Sequence, residues 1–299
     1  MTTVQANKRI SLKNILFLTD FSEPSGAALP FATTIAHAYG AEVHALHVLL
    51  PAPYAYMTPE MAGITLDDQE EMAREEMQRV EAQLVGLPHE TIIERGTGVW
   101  PVLSEALKEH EIDFIVLGTH GRTGLQKFLL GSSAEEVFRR ARVPVLTIGP
   151  TVRNGAHSGG RFRCVLFATD FNALSVTAAA YAVSLAQENQ ARLVLLHVLP
   201  NPGRGKTGKT EELSVAEAMH QLRMLVPEEA ELWCRPEAMV QHGVPGDEIL
   251  ATANECGADL IVLGVRGMGV LAGVTTHLER ATAYNVVVHA PCPVLTVRC

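Results

Sequence analysis

Two polar segments follow apolar runs in the first half of the chain. They are Thr19-Asp20 and Gly118-Thr-His-Gly121-Arg122-Thr-Gly124, the latter continued by Gly131-Ser132-Ser133. Glycine lets a backbone amide approach a bound group closely. Ser132 and Glu135 have the spacing of a capping box, which predicts a helix start near Ser132. A helix start offers free N–H groups and the positive end of the dipole, so the chemistry of this segment is anion binding, with phosphate the natural guest. A plain tight turn from strand to helix would ask for the same glycines, and spacing alone does not separate the two readings.

The elements that must position these residues are short and apolar. The runs Ile15 to Thr19, Val43 to Leu50, Thr91 to Glu94, Phe114 to Gly118 and Val145 to Ile148 are rich in Val, Ile and Leu, as parallel strands buried on both faces should be. Between them lie amphipathic segments such as Asp67 to Leu84, which places Ala73, Met77, Val80 and Leu84 on one helical face. Five strands alternating with four helices predict an open α/β sheet, with its ligand crevice at the carboxyl ends of the strands where strand order reverses.

The whole pattern occurs twice. KNILFLTDFS at Lys13 to Ser22 returns as RCVLFATDFN at Arg163 to Asn172, and Leu-His-Val-Leu occurs at Leu46 to Leu49 and at Leu196 to Leu199, each pair 150 positions apart. IDFIVLGTHGRTGL from Ile112 matches ADLIVLGVRGMGVL from Ala258, and Pro144-Val-Leu-Thr147 matches Pro293-Val-Leu-Thr296. A period this long predicts two complete domains, 1–150 and 161–299, joined by the Gly- and Ser-containing stretch Gly149 to Gly160.

Composition narrows the classes further. Of 299 residues, 47% are hydrophobic and 19% charged, which excludes a disordered or collagen-like chain. Residues 1–150 carry 12 Lys and Arg against 19 Asp and Glu, and the remainder 12 against 14, so neither half has the basic footprint of a nucleic-acid binder. The N-terminus is polar and no long apolar stretch is present, so neither a signal peptide nor a membrane span is expected and the expected location is cytoplasmic. Cys164, Cys234, Cys256, Cys292 and Cys299 form no C-x-x-C pair and read as reduced thiols.

Gly118, Gly121, Gly131 and Ser132, with the strand before and the helix after, fit the ATP-binding pattern of the universal stress protein family, which the chain resembles along both halves. The resemblance also covers Thr19-Asp20, Val48 and the closing Pro-Val-Leu strand. It implies two Rossmann-like (adenine nucleotide alpha hydrolase-like) domains, each an open five-stranded parallel sheet with helices on both faces. It implies ATP as ligand, with magnesium as an accompanying ion, a regulatory stress-response role, pairing of the closing strands Pro144 to Ile148 and Pro293 to Val297 within the chain, and a homodimer as a further association. By residue, Asp20 and Val48 would hold the adenosine, Gly118 the ribose, and Gly121, Gly131 and Ser132 the phosphates. Ser133 belongs to the same helix start, and Arg122 reads equally as a phosphate contact or a solvent-exposed side chain.

The second half departs from the pattern. It keeps Asp170, Val198, Gly264 and Gly267, but His277-Leu278 stands where Gly-Ser is expected. Aligning instead on a capping box at Thr276 and Glu279 puts Thr275 at the glycine, so phosphate binding there should be weakened. Gly203-Arg-Gly-Lys-Thr-Gly208-Lys209-Thr210 formally matches a P-loop, but Pro200-Asn-Pro202 parts it from its strand, and a flexible basic loop is the expectation. His47 and His197 read as strand or core residues, and the Gly-Gly of Ser158 to Gly160 falls in the linker. Slow ATP hydrolysis or phosphotransfer, and a nucleotide-independent scaffold, are the alternative functions.

Overall fold

The computed structural model describes residues 10–51, 65–119, 130–150, 152, 161–201, 214–234, 236–265 and 274–298. Among the anticipated site residues, Gly121 and Arg122 lie outside them, as do Gly267 and the P-loop-like segment.

The first copy runs β1 (Asn14–Leu18), α1 (Glu23–Gly26), α2 (Leu29–Tyr39), β2 (Glu42–Leu49), α3 (Leu66–Glu81), β3 (His89–Arg95), α4 (Val99–Glu109), β4 (Phe114–Gly118), α5 (Ser132–Arg140) and β5 (Val145–Ile148). The second runs β6 (Cys164–Ala168), α6 (Ala173–Asn189), β7 (Arg192–Leu199), α7 (Val215–Met224), β8 (Glu237–His242), α8 (Pro245–Cys256), β9 (Leu260–Gly264), α9 (Val274–His289) and β10 (Val294–Val297), with a 3-10 turn at Glu228–Leu232. One helix, α6, stands in the second copy where the first has α1 and α2. The family of strands forms one ten-stranded sheet in the order β3-β2-β1-β4-β5-β10-β9-β6-β7-β8.

Every pairing is parallel except the central one. β5 and β10 meet antiparallel, with Thr147 opposite Val294, Leu146 opposite Leu295 and Val145 opposite Thr296. The seam is reinforced twice, because the Thr147 hydroxyl donates to the Val294 carbonyl at 3.0 Å and the Thr296 hydroxyl to the Val145 carbonyl at 3.3 Å. Arg298 then crosses from the second copy to the carboxyl end of α5, where its guanidinium donates to the carbonyls of Phe138 and, at 2.6 Å, Arg139. Those last-turn carbonyls lack partners within the helix and sit at the negative end of its dipole.

Helices cover both faces, and each face has a core that runs through both copies. One contains Phe17, Phe31, Phe114, Phe162 and Phe167, with the Phe31 and Phe162 rings stacked across the two copies at 6.1 Å. Tyr39 and Ser184 share a hydroxyl hydrogen bond of 3.0 Å between α2 and α6 on that side. The opposite face packs Leu46, Leu103, Ile115 and Val137 with Leu166, Ile261 and Val286.

Several boundaries differ from the sequence expectation. The third strand is longer than Thr91 to Glu94 and is not buried on both faces, since β3 lies at the sheet edge with every residue at least partly exposed. The helix expected over Asp67 to Leu84 is Leu66–Glu81, and its start is set by a reciprocal capping box of Thr65 and Asp68 about two turns ahead of the apolar face. Leu84 is still fully buried just past its end. Because the seam is antiparallel, the carboxyl ends of the first copy's strands and those of the second face opposite ends of the sheet.

Leu146 and Leu295 face one another at the seam and belong to the buried interior. Each change to Ala is expected to cost about 2–5 kcal/mol of unfolding free energy. In a urea-melt double-mutant cycle, a coupling of at least about 0.5 kcal/mol marks direct contact between them. Additive losses would show that the strands do not pair in solution.

Candidate functional site

At the switch point between β1 and β4 a cleft of about 260 Å³ opens. Thr19 and Asp20 leave β1, Val48 lies next to the end of β2, Gly118 ends β4, and Gly131, Ser132 and Ser133 open α5, so these seven anticipated residues line one cavity. Its apolar wall includes Leu18, Leu117 and Val99.

The turn after β1 is tightly fixed. Thr19 Oγ1 accepts the Phe21 amide at 3.0 Å and shares a 2.8 Å hydrogen bond with the Ser25 hydroxyl. Asp20 Oδ1 accepts from the Ser22 amide at 3.1 Å and the Ser22 hydroxyl at 2.5 Å. Phe21 takes a φ of +60°, an uncommon conformation for a large side chain, and its ring lies 4.3 Å from that of His47. His47 Nδ1 is 2.8 Å from the Thr19 carbonyl, which makes it the N–H donor. The histidine therefore clamps the turn from below. The second copy repeats the device, with Phe171 at φ +61°, its ring 4.3 Å from His197, and His197 Nδ1 2.8 Å from the Thr169 carbonyl. In the sequence both histidines sit within apolar strand runs, and the signal of the clamp is Thr-Asp-Phe followed by Leu-His in both copies.

Gly118 has no room for a side chain. A Cβ there would lie 2.6 Å from the Pro24 carbonyl oxygen and 2.9 Å from the Ser25 Cα, so the end of β4 packs directly on the α1 backbone. Gly131 behaves differently from expectation. Its φ of −58° and ψ of 148° are open to any residue, so backbone geometry does not demand glycine there. Its amide donates to the Thr119 carbonyl at 2.8 Å, tying the helix start to the strand end. Gly131 is the N-cap and no side chain caps α5, so the anticipated Ser132–Glu135 capping box does not form and Ser132 is the first helical residue. The amides that follow Gly131, from Ser132 to Ala134, precede the first intrahelical bond, which Glu135 makes to the Gly131 carbonyl at 2.8 Å.

The second cleft, about 190 Å³, is lined by Thr169, Asp170, Val198, Gly264 and Thr282 among others. Its helix is built differently. Helices α5 and α9 end at matching places before their closing strands, but α9 has 16 residues and α5 has 9. The extra residues extend α9 back to Val274, so residues 280–283 are helix interior, with amides committed to carbonyls one turn earlier. The capping box expected at Thr276 and Glu279 is thus inside the helix. Without a Gly-Ser break the helix runs on across the place where the first copy presents free amides.

The P-loop-like match lies outside the described residues, and α7 starts beyond it at Val215 with a Ser214–Glu217 capping box. Cys164, Cys234, Cys256 and Cys292 are free thiols. The Cys256 thiol and the Arg192 guanidinium beside it lower the Cys164 pKa to about 7 despite burial. No helix among the described residues is long and apolar enough to cross a membrane.

Burial at the second cleft depresses the pKa of His197, against the smaller opposing effects of its bond to Thr169 and the charge of Asp170. The native state therefore favours neutral imidazole, and its contribution to stability is complete above the unfolded pKa of about 6.5 and declines as pH falls below it. A proton NMR titration is expected to place the His197 midpoint below that of a free imidazole. His197→Gln is expected to flatten the stability profile below about pH 6.5.

Comparison with known proteins follows the duplication. The model of the universal stress protein family matches residues 11–149 and again residues 161–298. A universal stress protein of Mycolicibacterium smegmatis is 28% identical over 294 residues, covering 95% of this chain and 96% of that protein. One from Methanocaldococcus jannaschii is 33% identical over 139 residues, covering 46% of this chain and 81% of that protein. In fold, the chain is similar to the crystal structure of a universal stress protein from Archaeoglobus fulgidus DSM 4304, with a TM-score of 0.69 at 24% identity over 96% of this chain and 97% of that one. With two family matches on two copies of one Rossmann-like α/β fold, the chain belongs to the universal stress protein family.

Proposed function

We propose that this universal stress protein is a cytoplasmic, ATP-binding regulator that holds the nucleotide in its first cleft, with magnesium beside the phosphates. The observation that carries the reading is the start of α5. Its first amides open on a cavity that also presents Asp20, Val48 and Gly118. A phosphate seated there would meet N–H donors and the positive end of the helix dipole without a lysine. In this reading Asp20 and Val48 hold the adenosine, Gly118 lies along the ribose, and Ser132 and Ser133 donate to phosphate. Gly131 supplies close approach, since its own amide is already bonded. Gly121 and Arg122 complete the phosphate end.

Among the described residues the second cleft offers no such cradle, because α9 is continuous helix there. Regulation is favoured over turnover by the cleft's composition. Asp20 is the carboxylate lining it among the described residues, and Ser22 already engages that group. Rapid hydrolysis needs a base or a water-orienting group beside the phosphates. The reading includes pairing of the two domains within one chain, which uses both closing-strand edges and leaves a homodimer of whole chains to another surface.

Titration calorimetry is expected to find one ATP site per chain, and two equal sites would overturn the assignment. Turnover is expected below about 1 s⁻¹, the low end of ordinary enzymes.

Gly131→Val is expected to weaken fluorescent-ATP binding at least about tenfold, or roughly 1.4 kcal/mol, because the new side chain occupies space at the helix start. Lys209→Ala with Thr210→Ala is expected to leave affinity within about threefold, or roughly 0.6 kcal/mol. The reverse pattern in variants with unchanged melts would move the site to the lysine-rich segment.

A further inference from the structure

On the face of the first copy that packs α4, and away from the nucleotide cleft, two histidines converge on one carboxylate. His44 on β2 and Glu90 on β3 are register partners, and His110 is the cap residue at the carboxyl end of α4. His44 Nδ1 lies 3.2 Å from Glu90 Oε2 and His110 Nδ1 lies 3.1 Å from the same oxygen, while the two rings stand 4.8 Å apart. We infer that His44, Glu90 and His110 form a binding site for a divalent transition-metal ion of the zinc type, with a further coordination position left for water.

Three observations support the assignment. The donor set, two imidazole nitrogens and one carboxylate oxygen, is one that zinc accepts, and a tetrahedral ion with bonds of about 2.0–2.1 Å sets its ligand atoms about 3.3 Å apart. Both nitrogen–oxygen distances are near that edge and longer than the roughly 2.7–2.9 Å of a charge-assisted hydrogen bond. The three ligand atoms all fall within 4.8 Å of one another.

The second observation is burial. His44 is 5% exposed, and its Nε2 is buried with no hydrogen-bond partner. Its polar engagement is therefore through Nδ1, into this cluster. An apolar side chain would otherwise suit a position two residues before fully buried Leu46 on the same strand face.

The duplication supplies the third. The register partner of Glu237 in the second copy is Val194, and the end of α8 there carries Cys256. The carboxylate persists and both imidazoles are gone, while Glu237 meets Arg192 at 3.7 Å. The same fold thus stands without the cluster, so the histidines are not needed to build it.

Zinc chloride titrated into the full chain without nucleotide, followed by calorimetry, is the direct test. One ion per chain is expected, with a raised melting temperature. His110→Ala and Glu90→Gln, both at partly exposed positions, are each expected to weaken binding at least about tenfold. His89→Ala, a neighbouring histidine outside the cluster, is expected to change it less than about twofold. Cobalt substituted for zinc is expected to give the intense visible bands of a four-coordinate ion, lost in His110→Ala. Zinc binding that is absent, or that persists unchanged in folded Glu90→Gln with His110→Ala, would overturn the site.

Discussion

The antiparallel join of β5 to β10 is the interaction on which the molecule's form depends. Each copy alone would end in a bare apolar strand, Val145–Ile148 or Val294–Val297, and a bare edge invites further pairing. Joined, the two edges satisfy one another, and both helical layers become continuous cores. Phe31 can then stack on Phe162, and Arg298 can cap a helix that belongs to the other copy. The threonine hydroxyls at the seam add bonds in a near-symmetric pair, as expected when one copy meets its own repeat.

That frame was largely legible in the residues. Phe114–Gly118 and Val145–Ile148 match their apolar runs end to end, because a strand buried on both faces can hold little else. β3 extends beyond its apolar core at both ends, since an edge strand carries polar residues that blur its limits. The seven cleft residues that could be placed came together because all lie at strand ends or a helix start, which the open-sheet rule puts on one side.

What escaped the sequence depended on partners from distant elements. Spacing suggested that Ser132 and Gly131 act through a capping box and a glycine-only backbone. In the structure no side chain caps α5, Gly131 has an ordinary backbone conformation, and its amide is bonded to the Thr119 carbonyl. Nothing local to Val274 signals that α9 begins there, because the helix is set by what is missing downstream: a glycine to interrupt it. His44, Glu90 and His110 come from two strands and a helix end, and their meeting is a product of strand register.

The reversal of strand direction at the seam puts the two mouths at opposite ends, and the difference between α5 and α9 makes those ends unlike. A single-domain protein paired in the same way would show identical mouths at its two ends. Here one end offers a cavity bordered by the start of α5, and the other a cavity crossed by the body of α9. The two mouths therefore lie at opposite ends of one sheet and differ in what each presents. Duplication has in that sense exchanged symmetry for polarity.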